Sequence, residues 1–224
     1  MTSVRLPPVP TSAAAPPEVW YAAYGSNLAK DRFLCYVEGG RPTGGTRKLP
    51  GCRDPTPPAD SRGAWVPLRL FIAGKSKTWD GHGVAFVGTK RRHDESTYVR
   101  IWLVGKDQLE DIIAQENGLP SGAISVDSTE LSRDQYWDLG ISGKYPRIIR
   151  IGIIDNRPVV TCTTADSSLQ SKAKPPAPAY LGWMAKGLHE LSWTDEQIED
   201  YLFSIRGVSR TQVNVEAVRA RHVG

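Results

Sequence analysis

The sequence predicts an α+β domain built on a mixed sheet, and three observations lead there. The chain has 224 residues, 40% of them hydrophobic, enough for a sizeable single core plus tails. Short apolar runs that read as strands outnumber the amphipathic helical stretches. Strands and helices do not alternate regularly, which argues against a doubly wound parallel sheet.

The first element is the run Val19-Trp20-Tyr21-Ala22-Ala23-Tyr24, apolar on both alternating faces and therefore expected to be a strand buried on both sides. It stops at Gly25, where the backbone is free to turn sharply and approach a ligand. Ser26 and Asn27 are good N-caps, so a helix is expected from Leu28 onward, its first N–H groups pointing at whatever lies over the strand end. Alone, this pattern fits an ordinary turn capped by Asn27 better than an anion-binding one.

Residues 39–58 form a Gly- and Pro-rich loop around Cys52-Arg53-Asp54, long enough to be a functional rim, a wrapping segment or an insertion. Residues 65–72 and 83–87 read as strands joined through the turn signal Trp79-Asp80-Gly81. Residues 98–104 read as another strand, followed by a short helix. Residues 147–154 and 159–164 complete a hairpin around Asp155-Asn156-Arg157-Pro158, and residues 165–178 form a second polar, proline-rich loop. In the last helix Thr194 and Gln197 make a capping box and Trp193 and Ile198 are spaced as a hydrophobic staple. Ile198, Tyr201, Leu202 and Ile205 form its core face, and Gly207 stops it.

The short helix after residue 106 carries the second informative residue. Leu109, Ile112 and Ile113 mark its apolar face, and Glu116 continues that stripe just before an Asn117-Gly118 C-cap. A carboxylate in register with the core is desolvated, and the negative end of the helix dipole is nearby. Both effects raise its pKa toward that of a usable general base. A frayed last turn that leaves Glu116 in solvent is the competing outcome.

Composition narrows the function. Residues 1–17, rich in Pro, Ala, Ser and Thr, lack the apolar core of a signal peptide and read as a disordered tail, with the domain over 18–206 and an extension over 207–224. No apolar run is long enough to cross a membrane. Cys35, Cys52 and Cys162 are scattered and odd in number, so neither a disulfide framework nor a zinc site is expected, and reduced thiols suggest a cytoplasmic setting. A net charge of +4 and a pI near 9.0 are too mild to imply a nucleic-acid partner. Lys90-Arg91-Arg92-His93 reads as a solvated loop, and Arg219, Arg221 and His222 as a basic tail. The four histidines share no metal-ligand spacing, so no metal is expected.

Tyr24-Gly25-Ser26-Asn27-Leu28 followed far downstream by Gln115-Glu116-Asn117-Gly118 resembles the γ-glutamylcyclotransferase-like family. The resemblance continues with Tyr145 opening the strand at 148–154, and with Pro178-Ala179-Tyr180-Leu181 leading into a late helix through Lys186-Gly187-Leu188. It covers residues 19–205 element by element. It implies closure of the sheet into a small barrel, which periodicity alone does not show. It also implies Glu116 as the catalytic base, with Tyr24, Gly25, Ser26, Asn27, Leu28, Tyr145 and Tyr180 contacting a small γ-glutamyl substrate.

The chemistry follows from the substrate. A γ-glutamyl amide carries its own nucleophile, an α-amine able to close a five-membered ring on the γ-carbonyl and release 5-oxoproline. Holding that amine in place supplies about 7 kcal/mol or more of the barrier. The amine is protonated at neutral pH, so a carboxylate such as Glu116 must take its proton and later return one to the leaving amine. Backbone N–H groups of the turn would hold the carbonyl oxygen or the α-carboxylate. No cofactor is required, and a monomer or homodimer suffices. The same resemblance extends to enzymes that remove a γ-glutamyl protecting group from a natural product. Two other readings stay open: an amide hydrolase or acyltransferase working through Ser26 or Cys35, and a non-enzymatic small-molecule binding module.

Overall fold

The computed structural model describes residues 4–5, 18–42, 47–127 and 136–209. Its elements in chain order are β1 (Val4–Arg5), β2 (Glu18–Ala23), α1 (Lys30–Val37), β3 (Asp60–Val66), β4 (Leu70–Ala73), β5 (Val84–Val87), β6 (Thr97–Gly105), α2 (Lys106–Glu116), β7 (Tyr136–Asp138), β8 (Arg147–Ile154), β9 (Arg157–Thr163), α3 (Pro178–Glu190) and α4 (Asp195–Ser204). Seven strands form one mixed sheet in the order β1-β3-β6-β2-β9-β8-β7, while β4 and β5 pair only with each other.

β2 lies at the centre of the sheet, antiparallel to β6 and parallel to β9. Its alternation separates two apolar layers. Trp20, Ala22 and Tyr24 join the layer completed by the β4–β5 hairpin, α3 and α4. Val19, Tyr21 and Ala23 join the layer completed by α1 and α2. A strand buried on both sides needs an uninterrupted apolar run, which is what residues 19–24 supply.

The sheet is open, with β1 and β7 at its edges, so the barrel closure implied by the resemblance is not formed among the described residues. Closure needs a register-matched partner for each edge. The β4–β5 hairpin packs on one face instead, and among the described residues its strand pairing with the rest of the chain is limited to single bridges such as Phe71 to Arg206 and Gly83 to Pro176.

Three local expectations also change. The run 65–72 is not one strand: Pro67 lacks an N–H, the chain kinks where Leu68 N donates to Val66 O, and β4 begins only at Leu70. The helix expected from Leu28 is two pieces, a 3₁₀ turn Ser26–Leu28 and then α1 from Lys30, with Ala29 at the N-cap and extended between them. Val4 and Arg5, expected in a disordered tail, pair in parallel with Ala64 and Trp65 of β3; residues 6–17 and the basic tail at 219–222 lie outside the described residues.

The remaining elements follow the sequence closely. Asp155 and Asn156 both adopt left-handed backbone in the β8–β9 turn, as a tight hairpin demands. Thr194 and Gln197 close the capping box of α4, whose Ile198, Tyr201 and Leu202 are buried. The long loop wraps rather than dangles. Cys52 N donates to Val37 O, Arg53 pairs with the buried Asp111, and Gln108 Nε2 donates to the carbonyls of Asp54 and Thr56.

Candidate active site

The end of β2 and the C-terminus of α2 converge at one end of the sheet. Leu109, Ile112 and Ile113 are wholly buried, which fixes the rotation of α2 and brings the next residue on that stripe, Glu116, to the strand end. Asn117 caps the helix and Gly118 takes the left-handed conformation after it, so the last turn does not fray. Asn117 also clamps the chain beyond: its Oδ1 accepts from Tyr145 N at 2.8 Å and its Nδ2 donates to Tyr145 O at 3.1 Å.

The turn after β2 delivers its side chains to this place. Leu28 N donates to Gly25 O at 3.0 Å, closing a tight 3₁₀ turn. Asn27 Nδ2 then donates to Glu116 Oε1 at 2.8 Å. Ser26 Oγ accepts from Arg32 Nε at 2.8 Å. Neither side chain caps α1; both are committed to the site instead.

The result is a polar cavity of about 100 Å³ lined by Tyr24, Gly25, Ser26, Asn27, Glu116, Tyr145 and Tyr180 among others. Every site residue expected from the sequence is therefore there except Leu28. Leu28 is fully buried in the core, and its carbonyl accepts from Arg100 Nη1, so it supports the turn from behind and does not face the cavity. A space this size admits a small aminoacyl group and falls well below the roughly 300 Å³ of a drug-sized pocket.

Gly25 owes its place to proximity. Its φ is −117°, which any residue adopts, but a Cβ there would lie 2.4 Å from Tyr180 Oη. Tyr180 enters from the first turn of α3, which Pro178 starts at the position where a missing N–H costs nothing. Its oxygen accepts from Ala85 N at 3.0 Å. Burial pushes the Tyr180 phenol up to about 12, against the opposing pull of backbone N–H groups and the Arg32 charge. Tyr24 Oη donates to Cys162 O at 2.7 Å and Tyr145 Oη to Ala85 O at 3.2 Å, so their protons are committed, and both residues line the cavity.

Desolvation raises the Glu116 carboxyl above its ordinary value; the Arg32 charge, hydrogen bonds from Tyr36 and Asn27, and the Lys144 charge pull it back. Glu116 keeps some exposure because the cavity reaches it, although protein surrounds it on the other sides. Lys144 shifts down through burial, partly offset by the Glu116 charge. Two carbonyl oxygens beside this carboxylate, Asn27 Oδ1 and Gln115 Oε1, are buried with no hydrogen-bond partner among the described residues.

Sequence reasoning missed Arg32, Tyr36, Arg47, Trp79 and Lys144, all of which line the cavity. The first two carried a readable signal: they lie four apart, on one face of α1, directly after the turn. Among the described residues no group of three or more His, Cys, Asp or Glu is placed to hold a metal, and no helix is long and apolar enough to cross a membrane.

In comparison with solved structures, a γ-glutamyl cyclotransferase superposes with a TM-score of 0.51 over 92% of this chain and 99% of its own, at 16% identity. The fold is that of a γ-glutamyl cyclotransferase. A crystal structure of an uncharacterized protein from Homo sapiens gives a TM-score of 0.50 over the same shares, at 15% identity. Across curated proteins, 186 residues are 29% identical to histone deacetylase 5 of Arabidopsis thaliana, covering 77% of this chain and 28% of that protein. The chain thus spans under a third of that relative's length. No family model matches the chain. The γ-glutamyl cyclotransferase fold accounts for the mixed sheet and for the meeting of the β2 turn with the end of α2.

Proposed function

We propose that this protein converts a γ-glutamyl amide into 5-oxoproline and a free amine. The observation that carries the reading is the 2.8 Å bond from Asn27 Nδ2 to Glu116 Oε1, which joins the turn and a carboxylate of raised pKa in one small cavity. Glu116 takes a proton from the substrate's α-ammonium. The orphaned Asn27 Oδ1 and the lone pairs of Tyr24 and Tyr145 are suited to hold that ammonium beforehand. The freed amine attacks the γ-carbonyl and a ring C–N bond forms; protonated Glu116 gives its proton to the leaving nitrogen as the amide C–N bond breaks, and the carboxylate so restored takes the second proton from the ring nitrogen and passes it to the departing amine. The backbone of the turn is the candidate donor to the carbonyl oxygen as it gains charge.

The cavity size supports the same reading: about 100 Å³ suits a small group such as the γ-glutamyl half, which would leave the amine half at the mouth. Acyl transfer through Ser26 or Cys35 has less support. Ser26 Oγ is held by Arg32 and no histidine lines the cavity among the described residues. Burial raises the Cys35 thiol above its ordinary value, and its Sγ donates to Asp31 O. The partial likeness to a histone deacetylase supplies no second reading, because no feature of this cavity points to an acyl-lysine.

The deciding experiment incubates the purified protein with γ-glutamyl amides that differ in their amine halves and identifies products by mass spectrometry. Free 5-oxoproline is expected from at least one of them. Glutamate as the product would overturn cyclisation, since attack by the α-amine cannot give the open acid.

A further inference from the structure

Arg32 presents an unbalanced account of charge. The residue is 8% exposed, yet among the described residues no carboxylate lies within ion-pairing distance of it. The neighbouring Asp31 pairs with Lys186. Burying a cation with no ion pair in contact is costly, and the surroundings, including the charge of Glu116 beyond pairing distance, offset only part of that cost. Its guanidinium carbon lies 5.1 Å from the ring centre of Trp79 and 5.9 Å from that of Trp183, and its Nε donates to Ser26 Oγ. These contacts fix the plane of the fork. They leave the two terminal nitrogens without a protein acceptor among the described residues, at the wall of the cavity that holds Glu116.

The geometry points to Arg32 as the anchor for the α-carboxylate of the γ-glutamyl group, bound through the free edge of its guanidinium. This rests on the proposed reaction and assigns the substrate group that the reaction leaves unplaced. A planar, stacked guanidinium matches a carboxylate with two parallel N–H bonds, which a lysine at the same place does not. The other two cations of the cavity suit the task less well. Arg47 is an exposed residue, and Lys144 offers a single ammonium on a flexible stem, which cannot present two parallel N–H bonds. With the α-carboxylate on Arg32, the backbone of the turn is left to the γ-carbonyl oxygen. The α-amine, one bond from the carboxylate-bearing carbon, then falls between Asn27 and Glu116. The enzyme should accordingly require a free α-carboxylate and reject γ-glutamyl amides whose α-carboxyl is masked as an amide.

The test is binding of 5-oxoproline and of the same lactam lacking its carboxylate, by calorimetry, to the parent protein, R32Q and R32K. The parent should prefer the acid by about ten- to a hundredfold, the range of a charge-assisted hydrogen-bonded pair. R32Q should erase that preference while keeping whatever affinity the neutral lactam has, and R32K should retain part of it. No preference in the parent, or a full preference in R32Q, overturns the assignment. Should R32Q fail to fold, the parent still decides by NMR. The Nε–H resonance of Arg32, identified by its absence from R32K, must move on adding 5-oxoproline and stay put with the neutral lactam; the opposite result overturns the idea. The two proposals fail separately. Carboxylate preference without turnover of any γ-glutamyl amide removes the cyclisation and leaves Arg32 as an anion site. Turnover with a preference that survives R32Q removes Arg32 alone.

Discussion

Asn27 donates its side-chain N–H to Glu116 Oε1 at 2.8 Å, across 89 positions of sequence. One bond thereby couples the turn after the central strand to the last residue of α2, and it acts only on the ionised carboxylate as a full charge-assisted contact. It sets the orientation of the carboxylate and opposes the desolvation that raises its pKa. A carboxylate that is buried and held in one orientation is what the proposed proton removal from an ammonium group needs.

Replacing Glu116 by Gln keeps the shape and the Asn27 contact and removes the proposed base. Turnover should fall by about two to four orders of magnitude, the usual contribution of a positioned general base. Stability should move the other way. The folded-state pKa of Glu116 is raised, so its contribution to stability is fully present below the unfolded value of 4.5 and is lost as pH rises through the folded value. E116Q escapes that loss, so at pH above the folded value it should melt at or above the parent temperature, and the gap should close in acid. Thermal melts across pH check this. A variant with parental turnover would show that Glu116 is not the base.

The acid limb of kcat/KM should report Glu116 in the free protein, with its midpoint above the ordinary 4.5 because burial raises it. Asn27→Ala removes a donor that favours the ionised form, so its limb should shift further toward neutral pH. A limb that stays in place in N27A, measured on the same substrate, would disconnect Asn27 from the ionisation that controls rate.

Gly25 and Tyr180 should behave as a pair. A methyl group at Gly25 would sit 2.4 Å from Tyr180 Oη, so G25A must displace either the phenol or the turn. A loss of about 1 to 3 kcal/mol in stability is expected, as for other overpacked sites. Y180F removes the clashing oxygen at the cost of leaving Ala85 N without its acceptor. The double variant should therefore lose less than the sum of the two single changes, which chemical denaturation of all three measures. Additive losses would mean that the turn, and not the phenol, yields to the new methyl group.

Much of the site was legible because two of its parts are local. The apolar run ending at Gly25 and the stripe Leu109, Ile112, Ile113, Glu116 each fix a direction from sequence periodicity alone, and the fold brings those directions together. What stayed hidden depends on long-range packing. Lys144 and Trp79 reach the cavity from loops whose course is set by contacts elsewhere, such as the Asn117 clamp on Tyr145. Leu28 belongs to the motif that carries the resemblance, but the 3₁₀ geometry turns its side chain into the core. Barrel closure failed for a similar reason, since sheet edges are settled by which strands find partners and not by any strand's own pattern.

Gly187 tests how far the turn depends on the helix behind it. It lies within α3, where glycine costs about 1 kcal/mol relative to alanine in an exposed helix. The tertiary setting reverses that preference: a Cβ at Gly187 would lie 2.2 Å from the carbonyl carbon of Leu28 and 2.5 Å from Ala29 N. Both are backbone atoms, with no rotamer to relieve the clash, so the helix or the turn must move. G187A should destabilise the protein despite its better helix propensity, and it should lower turnover through the displaced Asn27, without touching the cavity itself. The comparison is Gly118→Ala, where a methyl group meets nothing within 4 Å but the backbone is left-handed at φ +73°. That change should cost about 1 kcal/mol through strain, with a smaller effect on turnover than G187A. Equal stability of G187A and the parent in denaturant titrations would mean that α3 is not held against the turn as closely as this packing requires.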